Sequence, residues 1–243
     1  MKRLLYVAAI VAAALGASSP AWADVRLGVI APRGELVALT QWGAFAQHVE
    51  SQIGQPVKLV PVALAKLEQT ITAADVDYAV LNPVHAISVK ERLGCELLAS
   101  LVLPSGAQFG GVIIANPQAG ISKVADLKGK KVMGLVTSAA GGYLFQAYEV
   151  QKAGLKAPDD FASYQVAKKQ DDTVLAVKAG LMDAGFIRTG ILEEMIAEGK
   201  ITAADVVIVN RKEGFSQILS TDLYPEWYLI AVTPAGKSSA AKV

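Results

Sequence analysis

The sequence predicts an α/β protein of two lobes, each a mainly parallel sheet flanked by helices, joined by two extended crossings. Three observations predict it. A local grammar recurs along the chain: apolar strand, small or polar loop, amphipathic helix, glycine stop. Residues 77–83, "DYAVLNP", and 183–189, "DAGFIRT", match as a pair, each following one helical stretch and running into another. Two β-rich runs, "FGGVIIANP" at 109–117 and "VVIVN" at 206–210, stand where the chain would pass from one half to the other and back. Strands that alternate with helices of about a dozen residues argue for parallel sheets.

The first 23 residues read as an export segment rather than part of the fold. Met1, Lys2 and Arg3 give a positive start, Leu4 to Gly16 an apolar run, and Ala21-Trp22-Ala23 a small-x-small cleavage pattern, so the mature chain is expected to begin at Asp24. The apolar run is too short to span a bilayer, and no later stretch reaches the roughly 20 apolar residues a membrane helix needs. Cys95 is the single cysteine and lies far from the cleavage pattern. No lipid anchor and no internal disulfide are expected, and an ordinary hydrophobic core must hold the fold. The protein is read as soluble and periplasmic, a monomer with no membrane insertion. Loss of Lys2 and Arg3 lowers the 23 basic residues to 21, against 22 acidic ones, so nothing suggests a nucleic-acid partner.

The elements follow in order. Asp24 to Ile30, "DVRLGVI", is a strand that leads through "APRGE" into a helix over about 36–52, with Gly54 as its stop. Helices are expected over about 64–74 and 84–92, on either side of the 77–83 strand. Lys131 to Val136, "KVMGLV", leads through "TSAAGG" into a helix over 143–153, stopped by Gly154. Helices over 171–179 and 190–198 flank the 183–189 strand. The boundaries expected are lobe 1 at 24–112 plus 215–233, lobe 2 at 113–214, and a frayed tail at 234–243.

In parallel α/β sheets ligands bind beyond the carboxyl ends of strands, at helix starts. Four loops hold that position: Ala31 to Gly34, Asn82 to His85, Thr137 to Gly142, and Arg188 to Gly190. Two come from each half, and if the halves face each other all four converge on one cleft.

In order and spacing, "ISKVADLKGKKV" (121–132), "TSAAGGYL" (137–144), "DAGFIRTGILEEM" (183–195), "STDLYPEWY" (220–228) and "DVDYAVLNPVH" (75–85) resemble the type II periplasmic binding proteins. The phosphonate- and phosphite-binding branch is nearest, above all its variants that serve as sensory domains ahead of histidine kinases, such as tetrathionate-sensing ones. The resemblance covers nearly the whole mature chain. It implies the two-lobed type II periplasmic-binding-protein fold, a small solute held between hinged lobes, and an oxyanion on the helix start formed by Thr137, Ser138, Ala139, Ala140 and Gly141. Two departures stand out: the chain stops soon after "AVTPAG", and it carries no transmembrane or kinase module with which to signal alone.

The residues themselves support an anion site by ordinary chemistry. A helix start offers unpaired N–H groups and partial positive charge. Glycines let an anion reach that backbone, and the Thr137 and Ser138 hydroxyls add donors. The alternative is a tight strand-to-helix turn with Ser138 as its cap. Arg188, at the end of the "DAGFI" strand, is either a paired donor to the oxyanion or a surface arginine. Arg33 has the same placement in the first lobe, and Thr189 follows Arg188 in the loop. Asn82 could reach across the cleft or simply hold the turn before Pro83. His85 is a ligand contact or a structural helix-start histidine, and His48 is given no role. Tyr143 and Trp227 are kept as pocket walls, whereas Trp42 goes to the core. Cys95 is read as a small buried hydrophobe, with thiol capture of an arsenite-type ligand as the option.

Catalysis finds no motif: Ser138 has no G-x-S-x-G elbow, no H-E-x-x-H is present, and "DLKGKKV" runs into a strand rather than a phosphate-loop helix. No cofactor and no metal are expected. The function expected is non-enzymatic: closure on a small phosphorus or sulfur oxyanion, presented to a membrane histidine kinase or, alternatively, to an ABC permease. A compact oxyanion is preferred over an aminophosphonate, because the four loops hold no acidic partner.

Overall fold

The computed structural model describes residues 23–232; the expected export segment, apart from Ala23, and the expected tail lie outside it. The first strand is β1 Val25–Ile30, followed by α1 Glu35–Ile53, β2 Val57–Val62, α2 Leu67–Thr72, β3 Tyr78–Leu81, α3 Pro83–Leu93 and β4 Glu96–Ser100. Then come β5 Gln108–Phe109, β6 Gly111–Ala115, β7 Lys131–Gly134, a π-type turn Ala140–Leu144, and α4 Phe145–Lys152. The remainder is β8 Ser163–Val166, α5 Gln170–Lys178, β9 Ala184–Arg188, α6 Ile191–Ala197, β10 Val207–Val209, β11 Tyr224–Pro225 and β12 Tyr228–Ala231.

The helices start and stop where the local chemistry requires. Asn82 caps α3 by accepting from the His85 N–H, and Pro83 fills the first helical position, where a missing N–H costs nothing. Gly54 and Gly94 end α1 and α3 in the left-handed conformation, with φ of 68° and 65°. No helix among the described residues is long and apolar enough to cross a membrane.

Two five-stranded sheets are built on one plan. The first runs β2-β1-β3-β12-β4 and the second, read from its other end, β8-β7-β9-β6-β10. In each, three strands are parallel and the fourth is antiparallel to both neighbours: β12 between β3 and β4, β6 between β9 and β10. The "DYAVL" and "DAGFI" strands thus hold the same central place, as their sequence match predicts. The chain passes between the sheets at β5 and β11, which pair as a short antiparallel ribbon with Tyr224 opposite Phe109 and Pro225 opposite Gln108, whereas the "VVIVN" run, expected at the return crossing, is β10 at the edge of the second sheet. Pro61 lies in β2 at a sheet edge, where the missing N–H breaks no ladder.

Burial on both faces explains the continuous apolar runs. Along β6, Ile113 and Ala115 enter one core while Val112 and Ile114 enter another; along β9, Phe186 and Ile187 divide the same way. A third core, around Val29, Val80 and Ile230, surrounds the first sheet. The "STDLYPEWY" segment fastens the second crossing to β6: the Ser220 hydroxyl accepts from the Ile113 N–H, and the Thr221 hydroxyl accepts from the Gly111 N–H, both at 2.9 Å.

Candidate ligand-binding site

A cavity of about 580 Å³ is bounded by both halves of the chain. Ile30 comes from the end of β1, Pro32 and Arg33 from the loop after it, Trp42 and Phe45 from α1, and Leu101 and Leu103 from the segment after β4. Arg188, Thr189 and Glu194 face them from β9, its loop and α6, and Glu226 and Trp227 enter from the second crossing.

Arg188 is the chemical centre of this wall. It ends β9, and its backbone N–H is held by Gln170 Oε1 at 2.6 Å. The guanidinium lies 4.6 Å from the Phe109 ring centroid and 5.3 Å from that of Trp227, between two aromatic faces. One terminal nitrogen donates to Glu226 Oε1 at 2.9 Å, and Glu226 is 1% exposed. Burial pulls the Arg188 pKa down and Glu226 pulls it back up, and the net direction is down; an arginine remains charged regardless. Its Nε is buried without a hydrogen-bond partner, as is Nε1 of Trp227. Buried donors in this state are costly unless something accepts from them.

Arg33 plays a different part. Its guanidinium donates through Nε and Nη2 to both oxygens of Asp171, through Nη1 to Glu194 and Glu198, and again through Nη2 to Glu198, at 2.7–2.9 Å. All five N–H donors are therefore taken. The partners lie on α5 and at α6, so a first-half loop is bound to second-half helices. The Gln170 N–H reinforces this by donating to the Pro32 carbonyl at 2.9 Å. Lys200 supports the cluster from 3.1 Å of Asp171 and 2.8 Å of Glu198. Hydrogen bonds from Asp171 and Glu198 hold the Arg33 pKa well above its ordinary value. Burial works to raise that of Asp171, but the bonds from Arg33 and Lys200 win and its direction is down. Arg33, then Lys200, pull Glu198 down to about 2.

The other expected residues fall elsewhere. Thr189 is 2% exposed, lines the cavity, and accepts from the Gly110 N–H through its hydroxyl. Asn82, 5% exposed, spends its carbonyl oxygen on the α3 cap and on His85 Nδ1, 3.1 Å away. Burial lowers the His85 pKa. Neither residue is in the cavity lining, and nor are Thr137, Ser138, Ala139, Ala140, Gly141 or Tyr143. Thr137 and Ser138 are exposed, and the turn from Ala140 has Ala139 at its cap position, with no side-chain cap.

What approaches the bare glycines is the protein itself. A Cβ on Gly141 would stand 2.8 Å from Arg188 Cβ and 2.9 Å from Phe109 Cε2; one on Gly142 would stand 2.9 Å from Leu135 Cγ. Gln146, fully buried on α4, tightens the same junction by donating to the carbonyls of Gly141 and Ile187 at 2.8 and 2.7 Å. Tyr143 packs in the core that Ile113, Ala115 and Phe186 enter, 5.1 Å from the Tyr164 ring. Cys95 is 4% exposed, in the core around the first sheet and away from the cavity. Among the described residues no group of three or more His, Cys, Asp or Glu is placed to hold a metal ion.

Sequence reasoning missed the carboxylates. Glu194 and Glu226 both line the cavity although neither lies in the four loops, so the premise for setting zwitterions aside does not hold. Both stand in motifs given above, Glu194 in "DAGFIRTGILEEM" and Glu226 in "STDLYPEWY", whose pattern rather than charge carries the resemblance. Trp42, assigned to the core, stands in the cavity wall.

Residues 27–238 match the family described as "ABC transporter, phosphonate, periplasmic substrate-binding protein". The tetrathionate sensor histidine kinase TtrS of Salmonella typhimurium is 26% identical over 250 residues, an alignment that takes in 100% of this chain but 42% of the kinase. Among solved structures, PhnD1 from Prochlorococcus marinus in complex with methylphosphonate superposes with a TM-score of 0.76 at 15% identity, over 90% of this chain and 81% of that one. A binding-protein component of an ABC phosphonate transporter from Pseudomonas aeruginosa gives 0.76 at 19% identity, over 90% and 72%. The aliphatic sulphonate binding protein SsuA from Escherichia coli gives 0.58 at 17% identity, over 88% and 63%.

Proposed function

The chain belongs to the phosphonate-binding family of periplasmic substrate-binding proteins, which bind rather than transform their solutes, and from that premise we propose that it captures an anion between its halves. The observation that carries this reading is Arg188: a buried guanidinium with an unpartnered Nε in the wall of a cavity that both halves enclose. Thr189 and Trp227 complete the contact set, and Arg33 secures the enclosure from the side. The leader at 1–23 delivers the protein to the periplasm, where the family resides.

The family passes small ligands to ABC permeases or sensor kinases. We place this chain with the second group, as a monomer whose occupied form engages a membrane histidine kinase. The supporting observation is the alignment of the whole chain with the tetrathionate sensor kinase. Pull-down from solubilised membranes, with and without a saturating anion, tests this; recovery of a permease alone refutes it.

The anion reading is tested by thermal shift and calorimetry with phosphite, methylphosphonate, sulfate, tetrathionate and benzenesulfonate. A ligand at 100 times its Kd should add about 2.7 kcal/mol of stability. Arg188→Ala should weaken binding by about tenfold or more, the worth of a charge-assisted hydrogen bond. That variant leaves Glu226 buried without its cation, so Arg188→Met combined with Glu226→Gln serves as the folded control. Unchanged affinity in both removes Arg188 from the site. Thr137→Ala with Ser138→Ala should leave affinity intact; a clear loss would return the anion to the start of α4.

A further inference from the structure

We infer that the ligand is an organic monoanion with a substantial apolar body, such as an aryl or branched alkyl sulfonate or carboxylate, rather than a bare inorganic oxyanion. The inference rests on the anion reading above and specifies its chemistry. Three observations converge on it.

The first is volume. The cavity measures about 580 Å³, whereas a bare tetrahedral oxyanion displaces a few waters, on the order of 100 Å³ at about 30 Å³ per water. A compact oxyanion on Arg188 would leave most of the space as water against apolar walls. The space instead matches the range of roughly 300–1,000 Å³ typical of sites for organic ligands.

The second is the lining. Trp42, Phe45, Leu101, Leu103, Ile191 and Trp227 give the wall a large apolar share. Ordered water gains few partners there, and an apolar body gains in proportion to the area it covers. The Trp227 ring, whose centroid lies 5.3 Å from the Arg188 guanidinium, sets apolar surface directly beside the charged end of the cavity.

The third is charge. Two arginines and two glutamates line the cavity. Arg33 has its five donors committed to carboxylates, and Arg188 already shares its charge with Glu226. No surplus of positive charge awaits a divalent anion. A dianion would face Glu226 and Glu194 with one half-neutralised guanidinium to offset them, whereas a monoanion needs only the free side of Arg188.

The experiment is calorimetry of the mature protein against matched probes: methanesulfonate, butanesulfonate, benzenesulfonate, the uncharged benzenesulfonamide, and the inorganic anions sulfate, phosphite and tetrathionate. Affinity should rise about fourfold for each methylene buried, so butanesulfonate should bind tens of times more tightly than methanesulfonate. Benzenesulfonate should exceed every inorganic anion and exceed benzenesulfonamide by at least tenfold. Trp42→Ala should cost benzenesulfonate about tenfold. Leu103→Ala, at a side chain 37% exposed and thus safe for the fold, should cost severalfold. Tighter binding of sulfate, phosphite or tetrathionate, lost in Arg188→Ala, would overturn the apolar-body inference and leave the anion reading standing. Equal binding of benzenesulfonamide and benzenesulfonate, or no binding by any probe, would overturn both.

Discussion

Replacing Arg33 by methionine keeps the apolar stem and deletes the guanidinium that ties the halves together. The Arg33 side chain is 4% exposed and that of Asp171 6%, so the bidentate pair between them is a buried one. Breaking such a pair from one side costs about 3–5 kcal/mol, because the remaining carboxylate stays buried without its partner. Lys200 remains 3.1 Å from Asp171 and recovers part of this. Glu194 and Glu198, at 45% and 41% side-chain exposure, regain water and add little. About 3 kcal/mol is the working figure at the low end of that range. Since the contacts join two halves that each have a core, the loss should appear as opening before it appears as unfolding. A shift of this size moves a closed-to-open ratio by about a hundredfold, at 1.4 kcal/mol per factor of ten. Small-angle scattering, or energy transfer between labels on α1 and α6, reads the opening; urea denaturation reads the global stability. Unchanged compactness together with an unchanged urea midpoint would refute the assignment of Arg33 as the tie.

Acid should act on the same contacts in a defined window. Asp171 and Glu198 have folded-state pKa values below their ordinary range, Glu198 near 2. Their contribution is therefore present above the ordinary carboxylate range and lost as pH falls from about 4.5 toward 2; closure followed by scattering should be flat from pH 5 to 8, and a midpoint near 6 would contradict this. Gly141→Ala forces a methyl group against Arg188 and Phe109, so urea denaturation should show a loss of about 1–3 kcal/mol. Anion affinity should fall as well, since Arg188 must move; a neutral outcome in both would show that the glycine is not needed for packing. Asn82→Ala should cost about 1 kcal/mol of stability through the lost cap while leaving anion affinity unchanged by calorimetry. A drop in affinity without a drop in stability would make Asn82 a ligand contact.

The alternation of strands and helices was legible because each unit carries its own punctuation. The run 36–52 ends on Gly54, and "YAVL" and "AGFI", each after a single aspartate, are recognisable as buried by their uncharged run. The expected helix over 143–153 is also present, but its first turn is a π-type turn from Ala140, set by close contacts with β6 and β9 rather than by local preference. Strands β2, β4 and β8 carried weaker signals: "VKLVPV" contains a proline, and "ELLAS" and "SYQV" are half exposed at sheet edges. Only the ladder against a central strand makes them strands. At the site, Arg188, Thr189 and Trp227 could be picked out because their positions follow from one strand and one motif. Arg33 lines the cavity, but its partners are 138 or more residues away in sequence. No local pattern announces which charges a folded chain will bring to a guanidinium.

The strand order also bears on how the molecule is assembled during synthesis. Every strand of the second sheet lies between residues 111 and 209, so that half can form as soon as this continuous stretch is available. The first sheet is different, because β4 joins it only through β12, drawn from residues 228–231. A nascent chain that has emerged as far as residue 215 holds all the strands of the later half and an earlier half with a missing rung. The part made first is thus finished last: until those four residues arrive, β3 lacks its antiparallel neighbour and β4 has no strand to pair with.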